Sequence, residues 1–281
     1  VTLRPGDLVL CAGTLGRACF RERAQAAAKA GFRGISVFAS DLEGARTEGL
    51  APSDLRAFLA DQGLAVAEVD PLLRWLPGTE LAGDATEEGA AFHAYSEDDL
   101  FAVAEAAGAR SLNAVAYADR PLPRDAVAEA FAGLCDRARE RDLLVHLEFL
   151  PWTQVSDAFA ALEIAEAAGR PNGGVMLDTW HHFRSGIPDA RLRELPGARI
   201  LGVQLSDAPA APEADPVDET LHRRLLPGEG AIDLRGIAAI LEEIGAPAPF
   251  GVEVFSDVLA ALPPLEAARR AGEAARSALG R

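Results

Sequence analysis

The sequence predicts a closed (β/α)8 TIM barrel, with residues 1–281 forming one domain. Three observations predict it. Eight short β-type runs recur along the chain, alternating with helical stretches. The runs are nearly all apolar, as strands covered on both faces of a parallel sheet must be. Eight such units in 281 residues fit a barrel whose usual size is ~250 residues.

Taken in order, the first run is Leu8 to Cys11, followed by a helical stretch from Arg21 to Ala30. Gly34 to Phe38 precedes Asp54 to Gln62, and Ala65 to Val69 precedes Asp98 to Ala107. Ser111 to Val115 leads to Asp125 to Arg141, and Leu144 to Glu148 leads to Gln154 to Ala168. Gly174 to Asp178, Ile200 to Leu205 and Phe250 to Val254 complete the strands, with helices at Leu234 to Ile244 and Leu265 to Leu279. The helical stretches carry Ala, Leu, Arg and Glu with a helical apolar period. Gly31, Gly63, Gly108, Gly169 and Gly245 stand where a helix C-cap turns the chain back toward the sheet. An open doubly wound sheet is the rival, but it expects G-x-G-x-x-G after the first strand. Cys11-Ala12-Gly13-Thr14-Leu15-Gly16 has the wrong spacing. No Pro/Gly/Ser linker separates two halves. Two connections, Asp70 to Glu97 and Asp207 to Ala231, exceed ordinary turns and are expected to cover the mouth of the barrel.

Composition narrows the chemistry. With 43 acidic against 27 basic residues the formal net charge is -16, a sign that repels phosphate backbones and anionic headgroups. Neither nucleic acid nor membrane is expected as a partner. Cys11, Cys19 and Cys135 have no metal-ligand spacing and read as small buried fillers in a reducing compartment. Val1 to Leu10 holds no long apolar stretch, and no apolar run approaches the ~20 residues of a membrane span. A cytoplasmic, soluble protein is the expectation. Lys29 is the sole lysine and lies in a helical stretch, which argues against Schiff-base and pyridoxal-phosphate chemistry.

Barrels place their chemistry at the C-terminal ends of strands. Four consecutive strands end in oxygen-bearing side chains: Glu148, Asp178, Gln204 and Glu253. Three carboxylates converging without a cation repel one another, whereas a divalent ion turns that cost into coordination. These four are the expected metal ligands. All four offer hard oxygen donors, so Mn²⁺ or Mg²⁺ is favoured, with Co²⁺ or Zn²⁺ as alternatives. His181, three residues after Asp178, reaches the same pocket and suits a substrate hydroxyl; His182 reads as packed. Arg224, before Pro227-Gly228-Glu229-Gly230, offers a planar fork for substrate oxygens, with the glycines turning it inward. Arg223 reads as its solvated neighbour. His146 is either a deeper polar partner of the site or a satisfied core histidine.

At these residues the chain resembles the xylose isomerase-like TIM-barrel superfamily, most clearly from Leu144 to Asp257. The family series of Glu, Asp-x-x-His, His-or-Gln and Glu falls on Glu148, Asp178 with His181, Gln204 and Glu253, and its substrate-facing arginine falls on Arg224. Two positions depart. Ketose epimerases of the family carry histidine where Gln204 stands, and Val203-Gln204-Leu205-Ser206-Asp207-Ala208-Pro209 looks more like the inosose and 3-dehydroshikimate dehydratases. The family's acidic residue on the second strand is replaced by Ser36.

The resemblance implies a divalent-metal-dependent isomerase or epimerase that removes a proton α to a carbonyl, with an enediolate intermediate. Glu148 and Glu253 are the implied acid and base, and His181 and Arg224 the substrate-binding pair. Loss of a β-hydroxyl from the same intermediate gives the alternative, a dehydratase. The implied substrate is a small sugar, polyol or cyclic keto acid, and the implied assembly a homodimer. Endonuclease IV, from the same superfamily, needs more histidines than the five present. A non-catalytic sugar-binding barrel is the remaining competitor.

Overall fold

The structure, a computed structural model, describes residues 1–16, 18–77, 91–118 and 120–281. Eight parallel strands close into a barrel in sequence order. They are β1 (Leu8–Leu10), β2 (Gly34–Val37), β3 (Ala65–Leu72), β4 (Ala109–Val115), β5 (Leu144–Glu148), β6 (Gly173–Asp178), β7 (Ile200–Leu205) and β8 (Phe250–Val252). Closure is made by β1 against β8, with Leu8 opposite Phe250 and Leu10 opposite Val252. All eight predicted runs are strands, and the predicted fold class holds.

Helices cover the outside: α1 (Phe20–Lys29), α2 (Asp41–Thr47), α3 (Leu55–Asp61), α4 (Glu97–Ala107), α5 (Arg124–Arg139), α6 (Ala158–Ala168), α7 (Thr179–Ser185), α8 (Pro216–His222), α9 (Leu234–Glu243), α10 (Asp257–Ala260) and α11 (Pro264–Leu279). Each of the five glycines read as helix terminators has positive φ, from 65° at Gly169 to 82° at Gly31. Only a residue without Cβ takes that turn freely. At the other ends, Ser96 forms a capping box on α4, and Asp157 accepts from Phe159 and Ala160 to start α6. That cap explains why α6 begins later than the predicted Gln154.

Two expectations change. β3 runs on to Leu72, so Asp70 is a strand residue within the barrel rather than the first residue of a loop. Cys19 is exposed at the start of α1, whereas Cys11 and Cys135 are buried as read. The cover expected of Asp70 to Glu97 includes residues 78–90, which lie outside the described residues.

The interior is not wholly apolar. Arg110 of β4 sends its guanidinium to the carbonyl of Leu201 on β7, 2.8 Å away, and Glu68 and His146 are buried within the barrel. Among the described residues no helix is long and apolar enough to cross a membrane.

Candidate metal and active site

The strand registers bring the predicted residues to one level. Asp178 lies opposite Gln204, Gln204 lies opposite Gly251, and Glu253 follows two residues later on the same face. Glu148, the last residue of β5, lies opposite Met176. All four side chains are buried, as are His181 and Arg224, so the six predicted residues form one cluster.

Asp178 has two tasks. Its Oδ1 caps α7 by accepting the backbone N–H of His181 at 2.8 Å, which is the physical content of the Asp-x-x-His spacing: the cap fixes the histidine at the third helical position. Its Oδ2 accepts Nη1 of Arg224 at 2.6 Å. Burial raises this carboxyl, but Arg224, His181 and the capping N–H outweigh it and hold it below its ordinary value. The His181 ring sits edge-on to Trp152, Trp180 and Phe149. From there Nε2 lies 3.4 Å from Glu148 Oε1 and 3.4 Å from Nη2 of Arg224. Glu148, Asp178 and His181 each offer a ligand atom within 4.8 Å of the others.

Arg224 is more deeply built in than its sequence suggests. Its guanidinium stacks between Trp180 and Phe255, each 5.5 Å from ring centroid to Cζ. Nε and Nη2 bond to Thr220, and Nη1 also reaches Glu253 Oε2 at 3.4 Å. Two isolated antiparallel bridges flank it, Asp207 with Leu225 and Arg223 with Ser256, and Gly228 turns the loop at φ 89°. The loop itself is stitched by Asp207, whose carboxylate accepts the N–H groups of Ala208, Gly228 and Ile232. A Cβ at Gly230 would meet Asp207 Oδ1 at 2.4 Å. This side of the mouth is therefore a hydrogen-bonded wall. His182 bonds Asp189, and Arg223 is exposed beside Asp218, both as read.

Two members were not among the predicted site residues. Asp70 and Asn113 complete a run of hydrogen bonds around the barrel. Asn113 Nδ2 donates to Glu148 Oε2 at 2.6 Å and to Asp70 Oδ1 at 2.8 Å. Gln204 Nε2 donates to Asp70 Oδ2 at 3.1 Å and to Glu253 Oε1 at 3.0 Å. Carboxylate and amide thus alternate through five residues on five strands or strand ends. Burial, then the charge of Glu148, pushes Asp70 up to about 7. Burial, then the charge of Asp70, pushes Glu253 well above the usual carboxylate range. On β2, Ser36 Oγ accepts the N–H of Ala12. His146 is fully buried and pushed well below its ordinary value by burial and then by Arg110. It is a core histidine, and neither ring nitrogen has a hydrogen-bond partner among the described residues, so it is not the satisfied one the sequence allowed.

A divalent ion suits this donor set. Gln204 Oε1 is buried without a partner, and it accompanies three carboxylates whose like charges need a cation. The Arg224 guanidinium already lies between two of them as a positive charge. Oxygen donors of this kind match hard divalent ions.

Fold and site together define a (β/α)8 barrel with a carboxylate cluster at the C-terminal ends of its strands, suited to a divalent cation. The chain belongs to the xylose isomerase-like TIM barrel family, which residues 24–278 match. It is similar to the 3-dehydroshikimate dehydratase of Pseudomonas aeruginosa, with 30% identity over 254 residues, covering 86% of this chain and 37% of that protein. The chain thus spans little more than a third of that relative's length. It is 32% identical over 130 residues to the inosose isomerase of Bacillus velezensis, covering 46% of this chain and 45% of the relative. Among solved structures, the IOLI protein with a binding zinc atom superposes with a TM-score of 0.83 at 20% identity over 98% of both chains. The probable 3-DHS dehydratase AsbF from Bacillus anthracis gives 0.71 at 17% identity, over 95% of this chain and 97% of that one. Both show the same fold.

Proposed function

We propose that the chain is a divalent-metal-dependent enzyme that removes the proton α to the carbonyl of a small polyhydroxylated ketone, and that it dehydrates a cyclic one. The observation that carries this reading is the disposition of Glu148 and Glu253. An amide holds one oxygen of each, and the other oxygen faces His181 or Arg224. Two positioned carboxyls flanking hydrogen-bond donors are what α-proton transfer requires.

Glu148, Asp178, Gln204 and Glu253 would hold the ion. When bound, a divalent ion supplies Lewis-acid stabilisation of negative charge developing on the substrate oxygens. The rest falls to side chains. His181 and Arg224 donate hydrogen bonds to substrate oxygens. One glutamate takes the α proton, and the electron pair of that C–H bond forms the enolate. As the enolate collapses, the C–O bond to the β-hydroxyl breaks, and the same carboxyl returns its proton so that water leaves. The aromatic rings around His181 keep bulk water from the enolate.

A sugar isomerase or epimerase is the second reading. It needs the same first step, with the proton returned to carbon in place of loss of the hydroxyl, and similarity to inosose isomerase over 46% of the chain favours it. Gln204 in the position where epimerases carry histidine, and the longer match to a dehydratase, put dehydration first. The deciding experiment incubates Mn²⁺-loaded protein with 3-dehydroshikimate and with inosose in deuterated buffer. An enone product supports the dehydratase; deuterium at the α carbon without loss of water supports the isomerase. Failure of both, with Glu148→Gln and Glu253→Gln indistinguishable from the parent, overturns α-proton transfer.

A further inference from the structure

We infer that Asp70 is a positioning residue that fixes the amide of Gln204 with its nitrogen held by hydrogen bonds and its oxygen left free to serve as a ligand; this rests on the metal reading proposed above. A glutamine side chain is nearly symmetric in shape, so packing alone does not choose which atom faces a cation. The choice matters: an amide oxygen is a ligand, whereas an amide NH₂ group repels the ion.

Hydrogen bonding decides it. Both Nε2 protons of Gln204 are taken, one by Asp70 Oδ2 at 3.1 Å and one by Glu253 Oε1 at 3.0 Å, while Oε1 is buried and has no partner. Glu253 is itself a proposed ligand, so the acceptor that serves orientation alone is Asp70. Asp70 is held in turn, since its Oδ1 accepts Nδ2 of Asn113, whose other proton goes to Glu148 Oε2. The two oxygens of Asp70 accept one amide each, Oδ1 from Asn113 and Oδ2 from Gln204. A neutral amide there cannot accept both, because one of its two ends is a donor facing a donor.

The same logic extends to the two proposed acid–base residues. Glu148 and Glu253 are the ends of a run whose centre is Asp70, and each is left with one oxygen free of the amides. Asp70 therefore couples the aim of both glutamates to the orientation of Gln204, without occupying a ligand position.

The test is Mn²⁺ affinity measured by calorimetry on the whole chain, with far-UV circular dichroism to establish folding. Asp70→Asn, which keeps shape, is expected to bind Mn²⁺ 10- to 100-fold more weakly, the usual cost of removing a residue that orients a ligand. Asp70→Ala, which removes both acceptor oxygens, is expected to weaken Mn²⁺ binding by a similar factor. Folded Asp70→Asn with unchanged affinity overturns the inference. Should Asp70→Asn not fold, folded Asp70→Ala decides alone: weakened binding supports the inference, unchanged binding overturns it. Absence of Mn²⁺ binding by the parent chain overturns the metal reading itself, an outcome separate from the other two.

Discussion

Nη1 of Arg224 sits 2.6 Å from Oδ2 of Asp178, with both side chains buried. The pair joins the loop after β7 to the end of β6, and the same nitrogen reaches Glu253. Truncation at position 224 leaves a buried carboxylate cluster without its guanidinium.

Arg224→Ala is therefore expected to destabilise the metal-free protein by about 3–5 kcal/mol, the usual cost of breaking one side of a buried pair. The sequence alone suggests a loop arginine whose loss spares stability; the geometry reverses that. Denaturant unfolding with and without Mn²⁺ is the measurement. Saturating Mn²⁺ should restore part of the loss, since it supplies positive charge to the same carboxylates. A variant as stable as the parent without metal would refute the structural role.

Glu68 gives a pH signature. Burial, then the charge of Asp70, pushes its carboxyl from 4.5 up to about 8. Between those values the folded state holds a proton that the unfolded chain has released, so stability falls as pH rises. The contribution is fully present below about 4.5 and is lost as pH approaches 8. Glu68→Gln, which still accepts from the Cys11 thiol, should flatten the dependence of metal-free stability on pH between 5 and 8. The slope it removes is at most about 1.4 kcal/mol per pH unit. An unchanged slope in urea unfolding across that range would assign the effect elsewhere.

Gln204→His should move metal preference from Mn²⁺ and Mg²⁺ toward Co²⁺ and Zn²⁺, because imidazole nitrogen suits those ions better than an amide oxygen. Competition binding of Mn²⁺ against Zn²⁺ before and after the change checks it. The expected outcome is a rise of at least tenfold in the Zn²⁺:Mn²⁺ affinity ratio, consistent with the effect of ligand identity on metal choice.

Gly230→Ala should destabilise the wall made by the loop after β7. Its Cβ would meet the carbonyl of Ala208 at 2.3 Å and Asp207 Oδ1 at 2.4 Å, both parts of a hydrogen-bonded network that cannot yield cheaply. A loss of 1–3 kcal/mol, typical of overpacking, is expected in thermal or denaturant unfolding. Gly44→Ala, where a Cβ meets nothing within 4 Å, is the control.

What was legible in the sequence follows from how sharply each signal contrasts with its surroundings. Glu148, Asp178 and Gln204 stand out because each ends or nearly ends an apolar run, and strand ends in a barrel share a level. Gly63 and Gly169 were legible because a helix that must turn sharply back needs positive φ. Asp70 was lost because Pro71 follows it and reads as a loop start, although Glu68 and Asp70 already alternate with Ala67 and Val69 in a pattern that puts both acids on one face. Asn113 was lost inside a strand, where one polar residue has no local signature of its partners; Asp70 and Glu148 come from strands 43 and 35 residues away. The burial of Arg224 was also hidden, since Trp180 and Phe255 flank it only in three dimensions.

The carboxylate of Asp207, with its three backbone donors, bears on the shape of the opening. A segment pinned at Ala208, Gly228 and Ile232 has no free hinge at those points. Deuterium should enter those three amides as slowly as it enters the strands. The rim after β7 is then a jamb that keeps its outline.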